Sequence, residues 1–219
     1  MRLRLMSNLI EALQVRWEAL LQSFLVEPKV SQEIFQELIR AYSSGERRYH
    51  TLEHIDQVLE IIEQKQSLAN NVSALRLAAW FHDVIYDPKA RDNEEKSAAY
   101  AGYRLSQLKI PMTVIAQVTT MILDTQNHQP SPGNLDSQIF LDADLAILGA
   151  PKLDYESYAQ AIRREYSWVS DDEYRTRRKQ VLQNFLQRKR IYFTNQLFLS
   201  LEVQARLNLQ AEIDTLSGR

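Results

Sequence analysis

The chain has 219 residues, 45% hydrophobic and 25% charged, which is enough apolar mass for a sizeable core in an ordinary folded protein. A formal net charge of −2 gives no overall attraction to nucleic acid or to an anionic membrane, so specific nucleic-acid binding is not expected and a charged partner must be met locally. The absence of cysteine excludes disulfides, cysteine-ligated zinc and a cysteine nucleophile, and agrees with a reducing compartment.

Only five glycines and six prolines punctuate the chain, and apolar residues recur near every 3.6 positions almost throughout, so the expected fold is all-α. The opening stretch MRLRLMSNLIEALQVRWEALL carries two early arginines, but Asn8, Glu11, Gln14 and Arg16 interrupt any signal-like apolar segment. It reads as a mature helix capped by Ser7, with Leu9, Leu13, Trp17, Leu20, Leu21 and Phe24 on one face. Ser31 is the expected cap of a second helix bearing Ile34, Phe35, Leu38, Ile39 and Tyr42, closed at Ser43, Ser44 and Gly45. Thr51 is the expected cap of a third, with Ile55, Val58, Leu59 and Ile62 inward. A fourth is predicted from about Ser73 to Tyr86; its sequence LRLAAWFHDVIY is apolar nearly all round, as a central helix should be, and Asp87-Pro88 stops it.

Further helices are predicted over about 94–108, 112–125 and 136–148, the last closed by Gly149. The loop QNHQPSPGN is the strongest break in the chain. Three more helices are expected near 155–167, 171–189 and 194–216, with Ser170 and Glu173 at capping-box spacing. The simplest organisation is a single domain over 1–219, with a chemistry-bearing core at about 47–149 and a helical C-terminal extension from about 151. No apolar run approaches the roughly 18 to 20 residues needed to span a bilayer, so no membrane partner and a cytoplasmic location are expected.

Three of the four histidines fall in RRYHTLEHI and AWFHDVIYD. On the predicted fourth helix, His82 lies one turn from Ala78 and Ala79, and Asp83 one turn from Ala79, so both point into apolar surroundings. A buried carboxylate is disfavoured unless a cation, a hydrogen-bond network or protonation compensates it, and a metal ion is one such cation. His50 and His54 are four apart, a spacing that can present two imidazoles to one ion. In IFLDADLAILG, Asp144 is bracketed on its helical face by Phe140, Leu141, Ile147 and Leu148, whereas Asp142 neighbours Gln138 and Ala146 and is more easily solvated. On this reading Asp144 is the carboxylate that demands a cation.

The order His, then His-Asp, then Asp on separate helices resembles the HD superfamily of metal-dependent phosphohydrolases. EHIDQVLEII resembles the family's first motif most closely with His54 as ligand, His50 being the alternative, and ADL at 143–145 resembles its last motif. The resemblance implies an HD-type helical bundle in which His50 or His54, His82, Asp83 and Asp144 hold a divalent metal. Such a mixed nitrogen and oxygen site favours Mn²⁺, Fe²⁺, Ni²⁺ or Zn²⁺ over Mg²⁺. It also implies attack of a metal-activated water on a phosphoester or phosphoanhydride of a small metabolite, a nucleotide being the expected case. The alternatives are an HD-type module that binds metal and nucleotide with little catalysis, and, less favoured because histidines are few, redox chemistry at a di-iron site.

Asp87, one turn beyond Asp83 on the predicted helix, supplies half of the acidic pair that orients water in alarmone-hydrolysing relatives, and Glu94 and Glu95 are the next candidates for proton handling. Arg47 and Arg48, beside the first motif, are the expected phosphate contacts, and His128 is a candidate for a substrate phosphate or a second metal. The single histidine between His-Asp and the last Asp favours a mononuclear site. Residues 175–190 hold seven basic residues and no acid, but interleaved Val181, Leu182, Phe185 and Leu186 mark an amphipathic helix packed on a core. Oligomeric state is left open, with a homo-oligomer allowed.

Overall fold

The computed structural model describes residues 2–218, and side chains from residue 6 onward; the side chains of Arg2 and Arg4, the two early arginines, lie outside the described residues. It is all-α: the described residues form ten α-helices, joined in places by short 3₁₀ turns, and no strand. None of these helices is long and apolar enough to cross a membrane. The chain divides into two compact units, Met1–Phe140 and Leu141–Arg219. The division falls inside a helix.

The first unit contains α1 (Arg2–Leu21), α2 (Pro28–Tyr42), α3 (Leu52–Lys65), α4 (Val72–Phe81), α5 (Asn93–Gln107) and α6 (Met112–Asp124). Helix α4 is its centre, packing against α3, α5 and α6, and seven of its ten residues are buried, from Ala74 to Phe81 with only Arg76 partly exposed. Trp80 stacks edge-on against Trp17 at 5.5 Å and Phe35 at 6.0 Å, and the Tyr42 hydroxyl donates to the Trp80 carbonyl at 3.0 Å.

Local capping departs from expectation in three places. Ser7 lies within α1, its hydroxyl donating to Glu11, because the helix already runs from Arg2. Helix α2 starts three residues before Ser31, with Pro28 in its first turn, where a missing N–H costs nothing. The Ser31 hydroxyl is instead an acceptor for the Trp17 indole at 3.1 Å. Thr51 does occupy the N-cap of α3, but its hydroxyl donates to Glu53 at 2.6 Å and caps no backbone N–H.

Helix α7 (Leu135–Asp144) starts in the first unit and ends in the second. The single helix expected over 136–148 is thus α7 followed by a 3₁₀ turn, Leu145–Gly149. The second unit continues with α8 (Lys152–Glu165), α9 (Asp171–Gln187) and α10 (Asn195–Leu216). Ser170 caps α9 through the Glu173 N–H, as its spacing predicts, and Thr194 caps α10 through the Leu197 N–H.

Buried polar groups tie this unit together. The Glu202 carboxylate accepts the N–H groups of Ile191 and Tyr192 and a charged bond from Arg206 at 2.8 Å. The Asn208 amide donates to the carbonyls of Leu148 and Ala150 at 2.9 and 2.8 Å, fixing the end of the 3₁₀ turn on α10.

The burial of the two aspartates in LDAD is the reverse of expectation. Asp142 is fully buried and Asp144 only half-buried. Asp142 accepts from the Phe193 N–H, the Thr194 N–H and the Thr194 hydroxyl, each at 2.7 Å. Such bonds to a charged group are worth about 1.5–3 kcal/mol each, which offsets a desolvation penalty of several kcal/mol. Burial pushes its carboxyl up to about 6 against the opposing pull of those donors and of Arg190. Asp142 therefore needs no metal.

At Gly149 a Cβ would lie 2.6 Å from Leu201 Cβ and 2.9 Å from the Leu201 carbonyl oxygen, on α10. The Gly149→Ala substitution should cost roughly 1–3 kcal/mol through overpacking, read as a lower denaturant midpoint; an unchanged midpoint would show that the contact yields freely.

Candidate metal centre

The first motif reaches the site in two pieces. His54 is on the first turn of α3, 3% exposed and facing inward. His50 precedes that helix in an irregular bend, so the two imidazoles do not stack along one helix as their spacing implies. The bend brings them together all the same, with ring centroids 6.0 Å apart. Tyr49 packs against both, at 5.1 Å from His50 and 4.8 Å from His54.

Helix α4 ends at Phe81, five residues short of its predicted limit. His82 is its C-cap and still donates its N–H to Ala78, but the carbonyls beyond are taken by side chains from elsewhere. The Arg47 guanidinium donates to the carbonyls of Asp83 at 2.7 Å, Val84 at 3.0 Å and His50 at 3.1 Å. Ser97, on α5, accepts the Ile85 N–H and donates to the Ile85 carbonyl. These bonds replace the i to i−4 ladder and turn the chain so that Asp83 faces the two histidines of the first motif. Arg47, expected as a phosphate contact, is buried, its fork tying the two motifs' backbones together, and its cation lies 4.9 Å from the Tyr42 ring centroid.

One oxygen, Asp83 Oδ2, is the focus. His82 Nε2 lies 3.1 Å from it, His54 Nε2 3.9 Å and His50 Nε2 4.0 Å. His54 Nε2 and His82 Nε2 are 3.1 Å apart. His82 Nδ1 is 3.0 Å from the Ala79 carbonyl oxygen, an acceptor that requires the proton on Nδ1. A neutral His82 then presents a bare lone pair at Nε2, toward both a carboxylate oxygen and a second imidazole nitrogen. A proton on His54 Nε2 can bridge the two rings, but the short approach of His82 Nε2 to the carboxylate is stabilised by a positive centre, either an added proton or a metal ion. Burial alone would raise the Asp83 carboxyl, but His82 first, then His50 and His54, outweigh it and hold it well below the usual carboxylate range.

His54 and His82 each offer a ring nitrogen beside the Asp83 carboxylate, and this group could hold a metal ion; Asp144 closes α7, in the second unit. The donor set, imidazole nitrogens with carboxylate oxygens, fits a first-row divalent cation. The backbone bond to His82 Nδ1 orients its ring as outer partners do for metal-bound imidazoles.

The remaining sequence candidates lie around this cluster or away from it. Glu94, half-buried in the first turn of α5, is pushed up by burial; its own backbone N–H opposes this, Asp83 and Glu95 add to it, and His128 pulls the other way. Glu95 is exposed and accepts from the Gln126 amide at 2.7 Å. His128 adopts a left-handed backbone conformation, φ 45°, in the loop after α6. Asp87 is exposed and not one helical turn beyond Asp83, because there is no helix there; its Oδ1 accepts the Lys89 N–H in a tight turn braced by Asn93. Arg48 is exposed and donates to the carbonyls of Gly45 and Arg47. Tyr86, not singled out in the sequence, packs on His50 at 4.2 Å; only an aromatic three residues beyond the His-Asp pair could have signalled it.

No family model, no curated protein and no solved structure matches this chain.

Protons compete with a metal for the same imidazole lone pairs, which ordinarily titrate near about 6.5. Metal content should therefore fall as pH drops from about 7 to 5, and His82→Ala should lose most of it at pH 7. Metal analysis after gel filtration reads both, and equal content in His82→Ala and the parent protein would refute the ligand assignment.

Proposed function

We propose that the protein is a metal-dependent phosphohydrolase acting on a phosphoester or phosphoanhydride of a small metabolite, with nucleotides the first class to test. The observation that carries this reading is the convergence of His54 and His82 nitrogens on Asp83 Oδ2, an arrangement that suits a cation. The resemblance of the His, His-Asp and Asp order to HD phosphohydrolases supplies the reaction class. His54, His82 and Asp83 would hold the metal, with His50 beside them, and the resemblance adds Asp144.

When bound, a divalent metal at such a site lowers the pKa of its water and polarises a phosphoryl oxygen. The chain's own residues do the rest. Glu94, its carboxyl pushed up by burial and within electrostatic reach of Asp83, would accept a proton from the attacking water. Burial of His54 and His82 keeps bulk water from competing for their nitrogens. Arg48, exposed beside the first motif, and His128, within electrostatic reach of Glu94, are the candidates to meet substrate phosphate. Arg47 acts by holding Asp83 in place.

A second reading, a module that binds metal and nucleotide without turnover, draws on Asp87, whose Oδ1 is engaged with the Lys89 N–H in a turn. The two readings part on phosphate release. The metal-loaded protein should liberate phosphate from at least one member of a nucleotide and phosphoester panel. Glu94→Gln should cut that rate by about 10²–10⁴-fold with metal content unchanged. Binding of nucleotides that are recovered intact after long incubation would instead support the second reading.

A further inference from the structure

The loop that follows α6 is strapped down. The Asp124 carboxylate accepts the Ser131 N–H and the Ser131 hydroxyl, each at 3.0 Å, and also the Ser137 hydroxyl. The Gln129 N–H returns to the Asp124 carbonyl and the His128 N–H to the Thr125 carbonyl, both at 3.2 Å. This pair of bonds is the helix-ending motif whose bridging residue takes a left-handed backbone and is usually glycine. Here it is His128, φ 45°. The other non-glycine residues with positive φ among the described residues, Leu25 and Lys109, are exposed, whereas His128 is half-buried. An L side chain held in that conformation at a candidate site, where glycine would suit the backbone better, points to a use for the side chain.

The first turn of α5 supplies that use, because it lies between this loop and the turn that carries Asp83. On one side Ser97 binds both backbone groups of Ile85, and Glu94 lies one turn earlier on the same helical face. On the other side Glu95 accepts the side-chain amide of Gln126, two residues before His128, at 2.7 Å. Glu94 is thereby held between Asp83 and His128. Burial raises its carboxyl first; of the charged groups that act on it, Asp83 and Glu95 raise it further and His128 lowers it. Without the imidazole, Glu94 would face carboxylates alone and be pushed away from Asp83.

We propose that His128 is a positioning residue: strapped in a left-handed turn, its imidazole holds the Glu94 carboxylate beside Asp83, and it acts on the reaction through Glu94. The proposal rests on the phosphohydrolase reading and narrows it, leaving Arg48 to meet substrate phosphate.

His128→Gly separates the two features of this residue, since it relieves the backbone and removes the imidazole. Urea unfolding of the parent protein, His128→Gly, Glu94→Ala and the double variant measures the coupling of the two side chains with no need of turnover. In the parent background the relief of strain is offset by the lost attraction to Glu94; in the Glu94→Ala background only the relief remains. The stabilisation by His128→Gly should therefore be larger in the second background, by about 3-fold or more in the unfolding constant. Lys109→Gly, at a helix end with the same pair of bonds, should give equal gains in both. On a panel substrate that releases phosphate, His128→Gly should lower kcat by about 10-fold to 100-fold with KM unchanged, and should change nothing further once Glu94 is alanine. Additive effects on stability would overturn the assignment, as would a raised KM with unchanged kcat, the mark of a phosphate contact. Coupling in stability without phosphate release from any panel member would support the pair and count against the phosphohydrolase reading alone.

Discussion

The site depends on one electrostatic constraint: a carboxylate oxygen and two imidazole nitrogens, mostly withdrawn from water, face one another within 4 Å, and one of those nitrogens has its tautomer fixed from behind. The Ala79 carbonyl takes the His82 Nδ1 proton, so Nε2 has none left to offer unless the ring becomes cationic. Between His82 Nε2 and Asp83 Oδ2, 3.1 Å apart, the lone pairs repel. A shared positive charge reverses the sign of the interaction, and a divalent metal supplies more of it than a proton does.

Holding that geometry is the work of side chains that never touch a substrate. An α-helix carried through His82 to Tyr86 would send Asp83 along the helix direction. Arg47 and Ser97 take the backbone groups on which that helix depends, and the chain turns instead. A guanidinium can hold three carbonyls from two segments because its donors form a rigid planar fork. The same device recurs in the second unit, where Glu202, Asn208 and Asp142 each gather backbone groups from a neighbouring segment.

Much of this was legible from local pattern. The nearly all-round apolar character of LRLAAWF identified the buried centre of the first unit, and Ser170 with Glu173 marked a cap. The crowding of His82 and Asp83 into that apolar run pointed to the cluster. What local pattern could not show was partners far along the chain. Arg47 reaches carbonyls 36 and 37 residues away, and nothing in RRYH distinguishes a guanidinium bound to backbone from one awaiting a phosphate. Asp142 escapes local pattern for the same reason: its helical neighbours suggest solvent, while donors 51 and 52 residues later allow its complete burial. Asp87 lost its expected position once the helix ended early.

Anomalous diffraction from crystals of the purified protein soaked in Mn²⁺ or Zn²⁺ bears most directly on the shared cation. The account predicts a peak at about 2.0–2.2 Å from both His54 Nε2 and His82 Nε2. A map with no peak there at saturating metal, the two rings meeting nitrogen to nitrogen through a proton alone, would contradict it.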